Sequence, residues 1–297
     1  MRILRLGGRT LRQLFWLLRR TLIACFDDGL FTIAKGAAYS SLLSLFPVLT
    51  SAATIFIQIR ADYVQQNLTT FLTQILPPDT ETAVLEQFRL RGQRPLWLLV
   101  IAFLLSLWAA SSVIKSLIDG FNAAYRVPRS RSMLAHSGVG IMLVFLAVIP
   151  LAGASSLILF GGEIESAVMN SLKVDPILNP LAPTWELLSR IMRYVISFLA
   201  TCSLTAILYY YGPYRKQRWA AVWPGAFLAT LLWLPATLGF AWYVRNITNY
   251  NVLYGSVGTS IALLVWMYLL AAIALFGCEF NAELERMRIA LSAQRRI

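Results

Sequence analysis

The sequence predicts an all-α polytopic integral membrane protein: six transmembrane helices, an N-terminal amphipathic interfacial helix, and both termini in the cytoplasm. Three observations carry that expectation. Of the 297 residues, 58% are hydrophobic and only 13% are charged, about half the charged share of a soluble domain, and the mean hydropathy is +0.64. Six apolar stretches are each long enough for the roughly 20 helical residues that cross about 30 Å of hydrocarbon. The basic residues behind the net charge of +12 fall in short segments between those stretches, where they set topology rather than bind nucleic acid.

Residues 1–34 form the first element. "RTLRQLFWLLRRTLIACF" interleaves arginine with Leu11, Leu14, Phe15, Leu18 and Leu22. It lacks a long uncharged core and a small-residue cleavage site. An uncleaved helix lying on the inner leaflet follows, apolar side toward the acyl chains; arginines that simply hold the N-terminus inside are the plainer reading.

The membrane domain, residues 35–282, contains spans at about 36–59, 95–118, 137–160, 187–211, 219–244 and 253–278. Pro150, Pro224 and Pro235 lie within the third and fifth spans, where neighbouring helices satisfy the freed carbonyls. Between spans, 60–94 reads as two short amphipathic helices broken at Pro77 and Pro78, and 161–186 as a Gly- and Pro-rich loop. Residues 283–297 form a cytoplasmic tail. Segments on the N-terminal side of the membrane carry 17 Lys and Arg and those opposite carry 6, which puts both termini in the cytoplasm.

Polar positions single out two helices. In span one, Gly36, Ser40, Ser44, Pro47, Ser51, Thr54 and Gln58 recur every three or four residues, one stripe about 33 Å long. Span four repeats the pattern with Arg190, Tyr194, Ser197, Thr201 and Thr205, with Arg193 beside its top. Such faces turn from lipid, either to pack helices through small hydroxyl residues or to line a polar groove. Charges gather at the inner ends: Lys35 opens span one, Lys115 and Asp119 close span two, and Glu279 with Asn281 closes span six. Glu279 is expected to balance Lys35 or Lys115, or else to face water. Glu283 and Glu285 read as ordinary members of a solvated mixed-charge helix with Arg286 and Arg288. The scattered Cys25, Cys202 and Cys278 imply no disulfide framework, and the lone His136 supports neither a metal site nor a catalytic triad. No metal or cofactor is expected, nor an enzyme.

The stretch "YNVLYGSVGTSIALLVWMYLLAAIALFGCEFNAELER" resembles the last span of the YihY/BrkB family of bacterial inner-membrane proteins. The matching positions are Tyr250, Asn251, Tyr254, Gly255 and Gly258 at its start, then Gly277, Glu279, Asn281 and Ala282. "AYSSLLSLFPVL", "LWAASSVIKSLIDGFNAAYRVPRSR" and "WPGAFLATLLW" extend the resemblance over about residues 15–288. The resemblance implies a six-helix domain with cytoplasmic termini. It links the chain with serum resistance, lipid or lipopolysaccharide handling and an old ribonuclease label. That label finds no cluster of metal-ligating residues here.

Two functions follow as expectations. One is a transporter-like protein handing on an anionic lipid or other amphipathic envelope molecule through a groove between spans one and four, with Arg190, Arg193, Lys35 and Lys115 holding its phosphate. No phosphate-cradling Gly-rich loop is present, so energy would come from a gradient or a partner. The other is a membrane platform docking an envelope-assembly partner through its outer loops.

Overall fold

The computed structural model describes residues 2–59, 96–128, 132–171, 182–246 and 256–294, all helical apart from short turns. Among the described residues seven helices run α1 (Arg2–Asp27), α2 (Leu30–Ile59), α3 (Leu96–Ala124), α4 (Met133–Ser171), α5 (Ala182–Tyr211), α6 (Trp219–Asn246) and α7 (Ser256–Gln294). Six of them, α2 to α7, are long and apolar enough to cross a membrane, in the order the sequence predicts.

Each of these six packs on its neighbour in the chain, and α7 returns to pack on α2, so the helices close into a ring; α7 also touches α3 and carries α1. The last span is the most buried of the six. Two turns tie the α1 end of the ring together. Gly29 adopts φ +67° between α1 and α2, a conformation only glycine enters without cost. Arg126 holds φ 54° just past α3, where its N–H donates to Ala123 O and the next N–H, of Val127, reaches Asn122 O. This helix stop usually carries glycine. Arginine is held there by Asp28, whose two carboxylate oxygens accept from its Nε at 3.1 Å and its Nη2 at 3.3 Å.

One stretch departs from expectation. The stretch read as a loop from 161 continues α4 to Ser171; Glu163, Glu165, Ala167 and Met169 favour helix there, and the preceding pair of glycines does not stop it. The long stretch after Phe276 stays helical to Gln294. The loop at 60–94 lies outside the described residues.

The core is divided. Around Cys25, Leu30, Phe121, Tyr209, Val222 and Leu275 it joins α1, α2, α3, α5, α6 and α7 at the α1 end. A smaller cluster of Phe240, Val244, Ala262, Leu263 and Trp266 joins α6 to α7 further along.

Candidate functional site

The exit of α7 carries the densest polar chemistry among the described residues. Glu279 is fully buried, at 0% exposure, and Glu283 four residues on is nearly so. This spacing puts both carboxylates on one helix face, and Arg286, a turn later on the same face, bridges them. Its Nη1 donates to Glu279 Oε1 at 2.8 Å and to Glu283 Oε1 at 2.5 Å, while Nη2 donates to the Ala124 carbonyl at 2.5 Å. Arg286 thus also satisfies a carbonyl that the end of α3 leaves open. From above, α1 brings Arg20 Nε to 2.5 Å from Glu283 Oε2, a charge contact without hydrogen-bond alignment, since that oxygen has no hydrogen-bond partner.

Glu279 therefore takes its countercharge from its own helix, where the sequence pointed to Lys35 or Lys115. Lys35 is exposed on α2, and the stem of Lys115 lies against Gly140 of α4. Glu283 is likewise not solvated: Leu17, Thr21, Ala24 and Cys25 bury one side of α1, and that helix covers the face of α7 bearing Glu283. Glu285 keeps the expected character, half-exposed, and accepts from Arg215 at 2.5 Å; the Arg215 guanidinium also lies 4.4 Å from the centre of the Tyr125 ring.

Asn281 locks α7 to α6. Its Oδ1 accepts from the Gly225 N–H at 2.7 Å and its Nδ2 donates to the Val222 carbonyl at 2.9 Å, on either side of Pro224, which itself has no N–H to give. The two backbones touch here: a Cβ at Gly277 would lie 2.6 Å from the Gly225 carbonyl oxygen and 2.8 Å from the Ala229 Cβ. That close approach is why the exit motif needs glycine. Tyr209 completes the junction by donating to the Ala274 carbonyl at 2.5 Å.

Asp119 lies in the last turns of α3. It lines a cavity of about 440 Å³ with Ile33 and Gly36 of α2 and Ser116, Asn122, Ala123 and Val127 at the end of α3. Asn122 is buried; its Oδ1 accepts from the Tyr214 N–H at 2.8 Å.

The stripe on α2 meets α3. The hydroxyls of Ser51 and Ser106 pair at 2.6 Å, with the Pro47 carbonyl 2.7 Å from Ser106 Oγ, and Ser40 lies 3.5 Å from Ser116. Ser44 is buried and bonds its own backbone at Ser41. On α5, Ser197 is buried, Thr201 donates to the Ser197 carbonyl and Thr205 to the Thr201 carbonyl. Helix α5 packs on α4 and α6 rather than on α2, so the two stripes do not share an interface; six helices in a ring place them across from each other. Arg193 is half-buried. The side chains of Thr54 and Arg190, and residues Tyr250, Asn251, Tyr254 and Gly255, lie outside the described residues; Gly258 is buried in α7.

Several central residues carried no distinguishing signal in the sequence. Arg20 and Arg286 resemble their solvated neighbours until α1 is seated. Asn122 and Gly225 do lie inside stretches that carry the family resemblance, and that was the available clue; Tyr209 lies in none of them.

The profile of the family described as "Virulence factor BrkB" matches residues 25–296. The chain belongs to the BrkB family. A Bacillus subtilis protein described as "Putative ribonuclease-like protein YfkH" is 28% identical, over 84% of this chain and 88% of its own. A UPF0761 membrane protein of Tolumonas auensis is 26% identical over 95% of this chain and 88% of its own. One from Paraburkholderia xenovorans is 25% identical over 89% of this chain and 58% of its own. No solved structure matches the chain. Among the described residues, no group of three or more His, Cys, Asp or Glu side chains could hold a metal ion. The chain is an integral membrane protein of the BrkB/UPF0761 family.

Proposed function

We propose that this protein is a transporter-like component of a bacterial inner membrane, with both termini cytoplasmic, that moves or hands on an anionic amphipathic envelope molecule such as a lipid. The observation that carries the reading is an asymmetry in the bundle. At the α1 end, the Arg20–Glu283 ion pair, the Arg286 bond to the Ala124 carbonyl and the Asn281 lock bind helices to one another. Helices α2 to α6 each bury less than a quarter of their membrane windows, and the hydroxyl-lined α2–α3 seam leads away from a cavity lined by Ser116, Asp119 and Asn122 near the clamped end. A fixed end with a looser remainder is the layout in which spans can part around a passenger while the bundle stays assembled. Polar side chains along the seam lower the cost of a head group within hydrocarbon.

The test is direct. Purified protein in liposomes with a fluorescent phospholipid should transfer label between leaflets faster than protein-free liposomes do, and equal rates would sink the proposal.

One observation favours a second reading, a platform for an envelope-assembly partner. Helix α4 has 39 residues, about 58 Å and nearly twice what crossing requires. Its far end gives a docking partner a surface outside the membrane. Under that reading, replacing residues 161–171 abolishes partner capture while lipid transfer stays at the protein-free rate.

A further inference from the structure

The turn between α5 and α6, residues 212–218, is fastened from four helices. The Tyr214 N–H donates to Asn122 Oδ1 of α3 at 2.8 Å, and its hydroxyl bonds His136 Nδ1 of α4. Gln217 Nε2 donates to the Tyr209 carbonyl of α5 at 2.7 Å, and Arg215 pairs with Glu285 of α7. A backbone tied at so many points holds its remaining residues in fixed places. Two of those are cations, Lys216 and Arg218, both exposed. Among the described residues neither has an acidic partner; Glu285, the acid that reaches the turn, is taken by Arg215. Their Cα atoms lie within about 7 Å of each other, the most that two residue steps allow.

Beside them stands a run of aromatic rings. Tyr210 lies edge-on to Tyr211, ring centres 4.8 Å apart, and to Trp219 at 5.2 Å, and Trp219 lies edge-on to Trp223 at 5.8 Å. Tyr211 ends α5 and Trp219 opens α6, and both are exposed, at 45% and 43%. Both helices are long and apolar enough to cross a membrane, so these rings mark the level at which two spans leave the hydrocarbon, where Trp and Tyr settle. Arg218 directly precedes Trp219, which puts the two cations at head-group depth. Unpaired cations at that depth attract phosphate, arginine through its fork of N–H donors and lysine as a point charge.

From this arrangement we infer that the α5–α6 turn holds an anionic phospholipid of the adjacent leaflet, its phosphate on Lys216 and Arg218 and its upper acyl chains along Tyr211 and Trp219. The charge pattern selects the class. Two cations with no acid to spare leave the ammonium of a zwitterionic lipid without a counter-charge, whereas phosphatidylglycerol brings negative charge alone. The exposed rings favour a lipid over a soluble phosphate, which has no apolar part to lay against them. The inference stands apart from the transport reading, because it concerns a lipid held on the surface of the bundle rather than one carried through it.

The experiment is native mass spectrometry of the full chain purified in detergent with equimolar phosphatidylglycerol and phosphatidylcholine. For the first lipid retained, wild type should prefer phosphatidylglycerol roughly twentyfold, about fivefold for each cation near the head groups. Lys216→Gln combined with Arg218→Gln should remove most of that preference at an unchanged unfolding temperature, since both side chains are exposed and carry no internal contact. Arg19→Gln combined with Arg288→Gln, which removes two exposed cations elsewhere, should leave it within about twofold of wild type. Equal retention of the two lipids by wild type, a preference that survives the Lys216 and Arg218 changes, or an equal loss in the Arg19 and Arg288 variant overturns the assignment. Glycerol 3-phosphate at tenfold excess over lipid should not displace phosphatidylglycerol; displacement would make the turn a site for a soluble phosphate and overturns the lipid assignment as well.

Discussion

Arg286 serves two helices with one guanidinium, compensating Glu279 and Glu283 of α7 and closing the Ala124 carbonyl of α3. Its removal leaves two buried carboxylates with much less countercharge, a loss that in buried networks runs to about 3 kcal/mol. Arg286→Met should therefore lower the unfolding temperature of the detergent-purified protein by several degrees, and adding Glu279→Gln should recover part of the loss. Equal unfolding temperatures for Arg286→Met and wild type would rule out this role. At this scale the sequence marked Glu279 and Asn281 as residues unlike their neighbours, because acid and amide arrive abruptly after an uncharged span. It could not mark Arg286 or Glu283. Nothing in their local pattern differs from a solvated i, i+3 pair, and only a second helix laid over them distinguishes the two cases.

Among the elements, α1 shows most clearly how one pattern serves two surfaces. Leu17, Thr21, Ala24 and Cys25 face the bundle, while Phe15, at 71% exposure, Leu22, Ile23 and Phe26 turn away, where apolar side chains suit a membrane surface. The sequence reading turned Leu11, Leu14, Phe15, Leu18 and Leu22 toward the acyl chains; Leu14, Phe15 and Leu22 are exposed, Leu18 is half-buried, and the side chain of Leu11 lies outside the described residues. The inner face went unread because, apart from Leu17, it is made of the small residues Thr21, Ala24 and Cys25. Burial, and behind it the carboxylates of Glu279 and Asp28, push the Cys25 thiol up to about 12. An ordinary thiol is largely ionised at pH 9, but with a raised value Cys25 stays protonated there. Site-resolved mass spectrometry should find Cys25 unmodified by iodoacetamide at pH 9 in the folded protein and alkylated in Arg20→Glu, which sets two like charges against each other and loosens α1. Full labelling of native Cys25 at pH 9 would show that α1 does not stay docked.

For the whole molecule, an even number of spans puts the start of α2 and the end of α7 at one end of the ring, where α1 meets α7. The 17 to 6 imbalance of Lys and Arg predicts that this end is cytoplasmic. Reporter fusions check it: a cytoplasmic reporter should be active and a periplasmic alkaline phosphatase inactive at either terminus, with the pattern inverted at residue 173. Phosphatase activity at the termini would reverse the orientation.

The sequence by itself determined the six spans and their order and the amphipathic first helix, because each of these is written in local composition at the period of a helix. Only the tertiary structure decided who faces whom: that the α2 stripe meets α3, that Asn281 fastens α6 beside Pro224, and that Glu279 finds Arg286 rather than a lysine. In hydrocarbon many helix faces are apolar alike, so pattern alone does not rank their partners. Close backbone contacts at Gly225 and Gly277 and the placement of a few charges do.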